Sequence, residues 1–179
     1  MKNELVVLVD VQGNAIGTME KMEAHRKGVL HLAFSIFIFN SNNEMLLQQR
    51  AANKYHSADL WTNTCCSHPR PNEKIIAAAH RRLQEEMGFD CELKEAFNFI
   101  YRAELDKNLI ENEFDFVFIG KYDGEPIINK DEVSDWKYLS LKKTKTELKN
   151  NPTQWTEWFK IAFEKTSDYY QNKNIKNKK

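Results

Sequence analysis

Two adjacent cysteines and a histidine stand close together in the segment TNTCCSHPRP, residues 62–71. These residue types can form a disulfide, bind a metal, act as a nucleophile or pack in a core. A disulfide between the neighbours Cys65 and Cys66 would close a strained ring, which does not match normal disulfide geometry. In an extended chain, side chains two positions apart share a face, so Cys66 lies with His68 and away from Cys65. Ser67 lies with Cys65, and the pattern leaves metal binding, nucleophilic chemistry and core packing open.

A second group of residues could hold a metal ion. His25 and His31 are six positions apart, and His31 opens a predicted strand. Glu111 and Glu113 share one face of another predicted strand. With His68 they offer three imidazoles and two carboxylates, a set suited to a divalent metal such as manganese, iron or zinc. The alternative is that the two histidines are unrelated loop residues and that the glutamates form a solvated strand edge.

The segment 72–88 has the pattern of a helix. Asn72 is a plausible N-cap and Gly88 a plausible C-terminal stop. An apolar stripe recurs at three- and four-residue spacing and consists of Ile76, Ala79, Leu83 and Met87. Glu85 and Glu86 lie in the last turn, where the helix dipole disfavours negative charge. Two carboxylates there indicate either a partner cation or simple exposure.

Four further segments predict the layers that would position these side chains. The β-branched and aromatic segment 31–40, the turn after it and the segment 45–50 predict a hairpin or two successive strands. The segment 111–120 alternates strictly, with three phenylalanines on one face and acidic residues on the other. A C-terminal helix is predicted with Asn151 as cap and Pro152 at its first position. Its apolar stripe consists of Trp155, Trp158, Phe159 and Phe163. Strands alternating with helices indicate an α/β or α+β layered domain.

Composition narrows the class of protein. The chain has 179 residues, which predicts one domain with a sizeable core. Lys+Arg and Asp+Glu are equal at 26 each, so no bulk charge favours nucleic acid or a membrane surface. The sequence has neither a long apolar run nor a signal-peptide pattern. Three cysteines without framework spacing predict a reducing, cytoplasmic setting. Residues 171–179 form a polar, basic segment that we predict to be a disordered tail.

The helix also resembles the Nudix box, G-x5-E-x7-R-E-U-x-E-E-x-G-U. The matching positions are Glu73, Arg81, Leu83, Glu85, Glu86, Gly88 and Phe89. The chain departs from the box where Ser67 replaces the opening glycine and Arg82 replaces the glutamate after the first arginine. The resemblance implies a Nudix-type mixed β-sheet sandwiched between helices, in a single catalytic domain over residues 1–170. Because box carboxylates hold the metal in Nudix hydrolases, Arg82 argues against pyrophosphate hydrolysis.

Several segments together resemble the metal-dependent (type I) isopentenyl-diphosphate isomerases. They are WTNTCCSHP (61–69), AHRKGVLHLAFS (24–35), YRAELDKNLIENE (101–113) and the tryptophan-bearing C-terminal helix. The resemblance covers about residue 4 to residue 165. It implies conversion of isopentenyl diphosphate to dimethylallyl diphosphate by a 1,3-allylic proton shift, and no protein partner is evident. The chain departs at HSADLWTN, where a WPG or FPG type of sequence is common, so whether Tyr55 or His56 lines the site stays open.

The resemblance also implies roles for individual residues. Cys66 and Glu113 match the catalytic acid/base pair, and Tyr101 matches the tyrosine beside the catalytic glutamate. The matching ligands of a Mn²⁺, Mg²⁺ or Zn²⁺ ion are His25, His31, His68, Glu111 and Glu113. Glu86 matches the carboxylate that helps to hold Mg²⁺ on the substrate diphosphate. Lys21, Arg50, Lys54 and Arg82 match diphosphate-binding positions, and Trp158 matches the tryptophan over the isoprenoid.

Two alternative functions make different predictions. A Nudix hydrolase of a nucleoside diphosphate derivative would use the helix carboxylates to activate water and would not need Cys66. A structural zinc module would use Cys65, Cys66 and His68 as ligands, and chelation would then unfold the domain.

Overall fold

The computed structural model describes residues 4–176 and the side chains of residues 4–173. Within these residues, nine strands occupy Leu5–Val9 (β1), Ala15–Glu20 (β2), His31–Phe39 (β3), Glu44–Arg50 (β4), Trp61–Thr62 (β5), Cys65–Ser67 (β6), Leu93–Glu104 (β7), Ile110–Lys121 (β8) and Val133–Ser140 (β9). Four helices occupy Lys21–Lys27 (α1), Ile75–Met87 (α2), Leu141–Asn150 (α3) and Glu157–Lys176 (α4). Short 3₁₀ turns lie at Asp106–Asn108 and Pro152–Gln154.

The strands form one mixed sheet around β3. On one edge β3 pairs in parallel with β8, from His31 opposite Glu113 to Phe39 opposite Lys121. On its other edge it pairs antiparallel with β1, β4 and β6 in turn. The β3–β4 hairpin is confirmed, and the mixed sheet agrees with the predicted fold class. Since β6 and β8 flank β3, side chains from three strands can meet at one place.

Each face of the sheet is covered by a helix. Helix α2 packs its apolar stripe on the face formed by Phe34, Ile36, Ile38, Phe118 and their neighbours. Helix α4 packs on the opposite face, where it meets Phe37, Phe39, Leu47 and Val117. The strict alternation along β8 thus separates two cores, and the prediction of a sheet sandwiched between helices is confirmed. Among the described residues, no helix is long and apolar enough to cross a membrane.

The start of α2 differs from the prediction. Asn72 has a φ of 65°, so it sits in a tight turn and is not the N-cap. The capping position is Lys74, without a side-chain cap hydrogen bond. The end is as predicted, because Gly88 adopts the left-handed conformation with a φ of 72° and its N–H donates to the Gln84 carbonyl. Asn72 therefore favours the turn before the helix and does not mark the helix N-terminus.

The C-terminal helix also starts later than predicted. Asn151 and Pro152 begin only the short 3₁₀ turn, and α4 starts at Glu157. Between them the backbone is extended at Trp155, which forms a parallel bridge to Trp61. This long-range pairing interrupts the helical pattern. Helix α4 continues to Lys176, so residues 171–176 of the predicted tail are helical here, and residues 177–179 lie outside the described residues.

Candidate active site

A cleft beside the ends of β3, β6 and β8 collects most of the residues singled out in the sequence. It encloses about 520 Å³ of space not filled by protein atoms, part of which is open to solvent. It is lined by Lys21, Arg50, Lys54, Tyr55, His56, Cys66, Ser67, His68, Arg82, Glu86, Tyr101, Glu111, Glu113 and Trp158. His25 and His31 are fully buried behind His68, with ring centroids 5.6 Å and 5.0 Å from it.

Two of the histidines have their tautomers set by backbone carbonyls. Nδ1 of His25 donates to the Lys21 carbonyl at 2.7 Å, because α1 brings residues four apart together. Nδ1 of His31 donates to the Val29 carbonyl at 2.8 Å. In each ring Nε2 therefore carries the free lone pair. Nε2 of His25 is buried and has no hydrogen-bond partner among the described residues, as expected of an atom that binds an ion.

The third histidine and Glu113 complete a compact group. Nε2 of His68 lies 3.2 Å from Nε2 of His31 and 2.9 Å from Oε1 of Glu113. The ligand atoms of His25, His31, His68 and Glu113 all lie within 4.8 Å of one another. Burial lowers the pKa of His68 to about 4 and also lowers the pKa of His25, so both rings are neutral and can act as ligands. This donor set fits a divalent metal ion.

Glu111 and Glu113 are buried neighbours that share Tyr101. The Tyr101 hydroxyl lies 2.9 Å from Glu111 Oε2 and 2.5 Å from Glu113 Oε2. Burial and the adjacent charge of Glu113 raise the pKa of Glu111 well above its ordinary value. Burial also opposes ionisation of Glu113, but the contacts with His31 and His68 outweigh it and hold the pKa of Glu113 low. Without an ion, the pair therefore carries one negative charge.

The two adjacent cysteines have separate environments. Cys65 is fully buried in the core beneath α2. Cys66 lines the cleft, and burial raises the pKa of its thiol, so the thiol is protonated at neutral pH. The opposite orientation predicted for the two side chains is confirmed, and both are free thiols in the described part of the chain. Ser67 lines the cleft although alternation placed it with Cys65, because the cleft opens around both sides of the short strand β6.

This arrangement excludes the structural zinc module. Cys65 faces the core beneath α2, away from His68. Among the described residues, neither group of metal-ligating side chains contains a cysteine.

Basic side chains also line the cleft. Arg50 donates to the carbonyls of Ser57 and His56, and its guanidinium lies 5.1 Å from the Trp158 ring centroid. Lys54 forms an ion pair with Glu132, and Arg82 lies 3.3 Å from the same carboxylate. These three cations can meet an anionic group that enters the cleft.

Glu86 stands beside these cations and apart from the histidines. Its carboxylate accepts hydrogen bonds from Arg82 at 2.5 Å and from Gln48 at 2.9 Å. Among the described residues it belongs to neither group of clustered ligands. The sequence predicted either a partner cation or simple exposure for the carboxylates at the end of α2. For Glu86 the partner cation is correct, and it is Arg82.

The sequence left the positions of Tyr55 and His56 open, and both line the cleft. His56 is 3% exposed, and its ring meets Trp158 edge-on at 5.7 Å between centroids. A second group of clustered ligand atoms consists of His25, His56 and Glu111. Burial lowers the pKa of His56 to about 2, so its ring is neutral. The only signal in the sequence was the unusual HSADLWTN loop.

Comparisons with known proteins show which proteins this chain resembles in sequence. The NUDIX domain model matches residues 29–159. Isopentenyl-diphosphate Delta-isomerase 2 of Photorhabdus laumondii subsp. laumondii is 58% identical over 158 residues, covering 88% of this chain and 89% of that protein. Isopentenyl-diphosphate Delta-isomerase of Pectobacterium atrosepticum is 51% identical over 166 residues, covering 93% of each chain.

Solved structures support the fold. The crystal structure of DR0079 from Deinococcus radiodurans superposes with a TM-score of 0.73 at 14% identity and covers 88% of this chain and 96% of that chain. A MutT protein from Methanosarcina mazei Go1 superposes with a TM-score of 0.61 at 19% identity, with 84% and 96% covered. The chain therefore belongs to the isopentenyl-diphosphate Delta-isomerase family and is built on a NUDIX domain.

Proposed function

We propose that this protein converts isopentenyl diphosphate to dimethylallyl diphosphate by a 1,3-allylic proton shift. One observation carries the proposal: a thiol and a carboxylate line the same cleft, on strands that flank β3 on opposite sides. Cys66 comes from β6, and Glu113 comes from β8. A cleft that also holds a cluster of cations suits a small apolar substrate with a diphosphate.

The reaction requires that one proton is added to the substrate and that another is removed from it. An alkene is a very weak base, so its protonation requires a well-placed acid and produces positive charge at the tertiary carbon. One member of the Cys66–Glu113 pair gives a proton to the terminal methylene carbon, and the other removes a proton from C2. The double bond then lies between C2 and C3, and the composition of the substrate is unchanged because one proton is added and another is removed. Tyr101 orients the glutamate through its short hydrogen bond.

Aromatic side chains would stabilise the cationic state and exclude water. Trp158 is 3% exposed and lines the cleft with its ring. Its π face can stabilise a desolvated cation by about 2 kcal/mol. Water in the cleft would trap the cation as an alcohol, so a closed site is part of the chemistry. Packing on α4 alone would explain a buried tryptophan, but not its place over a cleft lined by acid and base groups.

Metal ions have two separate places in this proposal. A divalent ion, Mn²⁺, Mg²⁺ or Zn²⁺, would be held by His25, His31, His68, Glu111 and Glu113, and its charge would tune the proton affinity of the carboxylates. The buried Nε2 of His25, which has no hydrogen-bond partner among the described residues, supports this donor set. Glu86 would help to hold Mg²⁺ on the diphosphate, and Lys21, Arg50, Lys54 and Arg82 would bind the phosphate oxygens.

The altered Nudix box disfavours hydrolysis. Arg82 replaces a box glutamate and forms ion pairs with Glu85 and Glu86, so a carboxylate of the hydrolytic site is lost and another is neutralised. We place the protein in the cytoplasm, because a catalytic thiol needs reducing surroundings.

Product analysis tests this function. The protein, loaded with Mn²⁺ and Mg²⁺, is incubated with isopentenyl diphosphate and followed by ¹H and ³¹P NMR. We expect dimethylallyl diphosphate to accumulate with both phosphorus signals of the diphosphate intact. Release of phosphate from this substrate, or hydrolysis of nucleoside diphosphate derivatives with the isoprenoid unchanged, would contradict the proposal.

A further inference from the structure

His56 lies beside the candidate metal ligands, on the loop between β4 and β5. Its Nε2 lies 3.9 Å from Oε1 of Glu111, and both side chains are buried. The ligand atoms of His25, His56 and Glu111 all lie within 4.8 Å of one another. Nδ1 of His56 lies 3.2 Å from the Ser57 hydroxyl and can donate to it, which leaves Nε2 as a free lone pair.

The two groups of clustered ligands share one residue, His25. His25 belongs both to the group with His31, His68 and Glu113 and to the group with His56 and Glu111. Its Nδ1 is held by the Lys21 carbonyl, so only the unpartnered Nε2 can bind a metal. One nitrogen lone pair binds one ion. The two groups therefore surround a common position and do not form two independent sites.

We infer that His56 is a further ligand of the divalent ion, so that the centre has four imidazoles and two carboxylates. This inference rests on the metal site of the proposed function and extends it to a residue from the atypical loop. Six protein ligands can complete an octahedral sphere, and the ion would then act through charge on the glutamates without binding substrate. A nitrogen-rich set also shifts preference towards zinc, cobalt and nickel and away from magnesium.

A packing role is the competing explanation for His56. Its ring meets the Trp158 ring edge-on, and its backbone carbonyl accepts a hydrogen bond from Arg50. Packing requires an aromatic ring of this size but no nitrogen lone pair. The two roles are therefore separated by His56→Phe, which keeps the ring against Trp158 and removes the ligand. His56→Gln is a second variant in case phenylalanine disturbs folding.

The matched control is His80→Ala. His80 is the fifth histidine of the chain and lies outside the cleft, where it is paired with Asp90 at 2.6 Å on the surface of α2. Removing it tests whether loss of any histidine changes metal binding. Thermal unfolding of each metal-free variant shows whether it is folded before the ion is added.

The experiment measures metal binding directly. Metal-free wild type, His56→Phe, His56→Gln and His80→Ala are titrated with Co²⁺ and read by visible absorption, and Zn²⁺ affinity is measured by chelator competition. We expect both His56 variants to bind Zn²⁺ about 10-fold more weakly or worse and to give an altered Co²⁺ spectrum, while His80→Ala matches wild type. If a folded His56 variant keeps the wild-type Zn²⁺ affinity and Co²⁺ spectrum, His56 is not a metal ligand, and the proposed function is unaffected. If wild type itself binds no ion at one equivalent, the metal part of the proposed function fails with it.

Discussion

Tyr101 stands between two carboxylates that compete for its single hydroxyl proton. Glu111 and Glu113 both approach the hydroxyl oxygen within hydrogen-bond distance. One proton cannot serve both acceptors, so the second contact requires a protonated carboxyl group when no ion is bound. The raised pKa of Glu111 identifies it as the protonated partner. Tyr101 therefore directs its hydrogen bond to Glu113, the proposed acid/base.

Replacing Tyr101 tests this role at the scale of one residue. Tyr101→Phe removes a hydrogen bond to a charged group, which contributes about 1.5–3 kcal/mol. We expect kcat to fall roughly 10- to 100-fold with little change in KM. Tyr138→Phe is the control, because Tyr138 donates to the backbone carbonyls of Tyr122 and Gly124 outside the cleft. Equal effects of the two substitutions on kcat would contradict a specific role for Tyr101.

Residue patterns predicted much of the site because strand alternation depends only on local geometry. Alternation separated Cys66 from Cys65 and placed Glu111 with Glu113. The same rule did not anticipate Ser67, because the cleft opens around both sides of a three-residue strand. His56 could not be placed from its sequence neighbours, since its position depends on a loop that folds back against α4 and β8.

At the scale of elements, local signals predicted the end of α2 correctly, but they misplaced the starts of α2 and α4 and the end of α4. Gly88 ends α2 in the left-handed conformation that glycine favours. Asn72 is a residue type common at helix N-caps, but here it occupies a turn with a positive φ. The delayed start of α4 depends on the bridge between Trp155 and Trp61, which are far apart in the sequence. Such contacts carry no local signal, and helix α3 was not anticipated at all.

Gly88 gives a stability prediction for the end of α2. A Cβ at this position would meet the Ile127 carbonyl oxygen at 2.2 Å, and its φ of 72° is unfavourable for other residues. We expect Gly88→Ala to lower the free energy of unfolding by more than about 1 kcal/mol, measured by urea denaturation. Gly17→Ala in β2 is the control, because a Cβ there has nothing within 4 Å. A Gly88 variant as stable as the Gly17 variant would contradict the close contact.

Glu132 links β9 to the basic part of the cleft and gives a pH prediction. Burial opposes its ionisation, but Lys54 and Arg82 outweigh this and lower the pKa of Glu132 below its ordinary value of 4.5. Its ionised form therefore stabilises the fold above about pH 4.5, and this contribution is lost as pH falls through the lowered pKa.

The measurement compares wild type with Glu132→Gln by denaturation of metal-free protein from pH 7 downwards. We expect wild type to be more stable at pH 7, and the difference to shrink towards zero in acid. A difference that does not change with pH would show that Glu132 contributes no charge-dependent stability.

At the scale of the whole molecule, we expect the fold to persist without a bound metal ion, because apolar packing accounts for most of its interior. Two apolar cores lie on the two faces of the sheet, and the clustered histidines stand at one end of it. We expect chelation to leave the circular dichroism spectrum native. Adding Zn²⁺ at 100 times its Kd should then raise stability by about 2.7 kcal/mol, seen as a higher Tm. Unfolding on chelation at 25 °C would instead indicate a structural metal site.

Deuterium incorporation tests the proposed proton transfer most directly. Wild type, Cys66→Ala and Cys65→Ala are incubated with isopentenyl diphosphate in heavy water, and both isoprenoids are analysed by NMR and mass spectrometry. Cys65 is the matched control, because it is the neighbouring cysteine and is buried in the core. We predict that wild type and Cys65→Ala incorporate deuterium into the product, whereas Cys66→Ala forms neither product nor exchanged substrate above background. Exchange by Cys66→Ala at the wild-type rate would contradict the assignment of Cys66 to the acid/base pair.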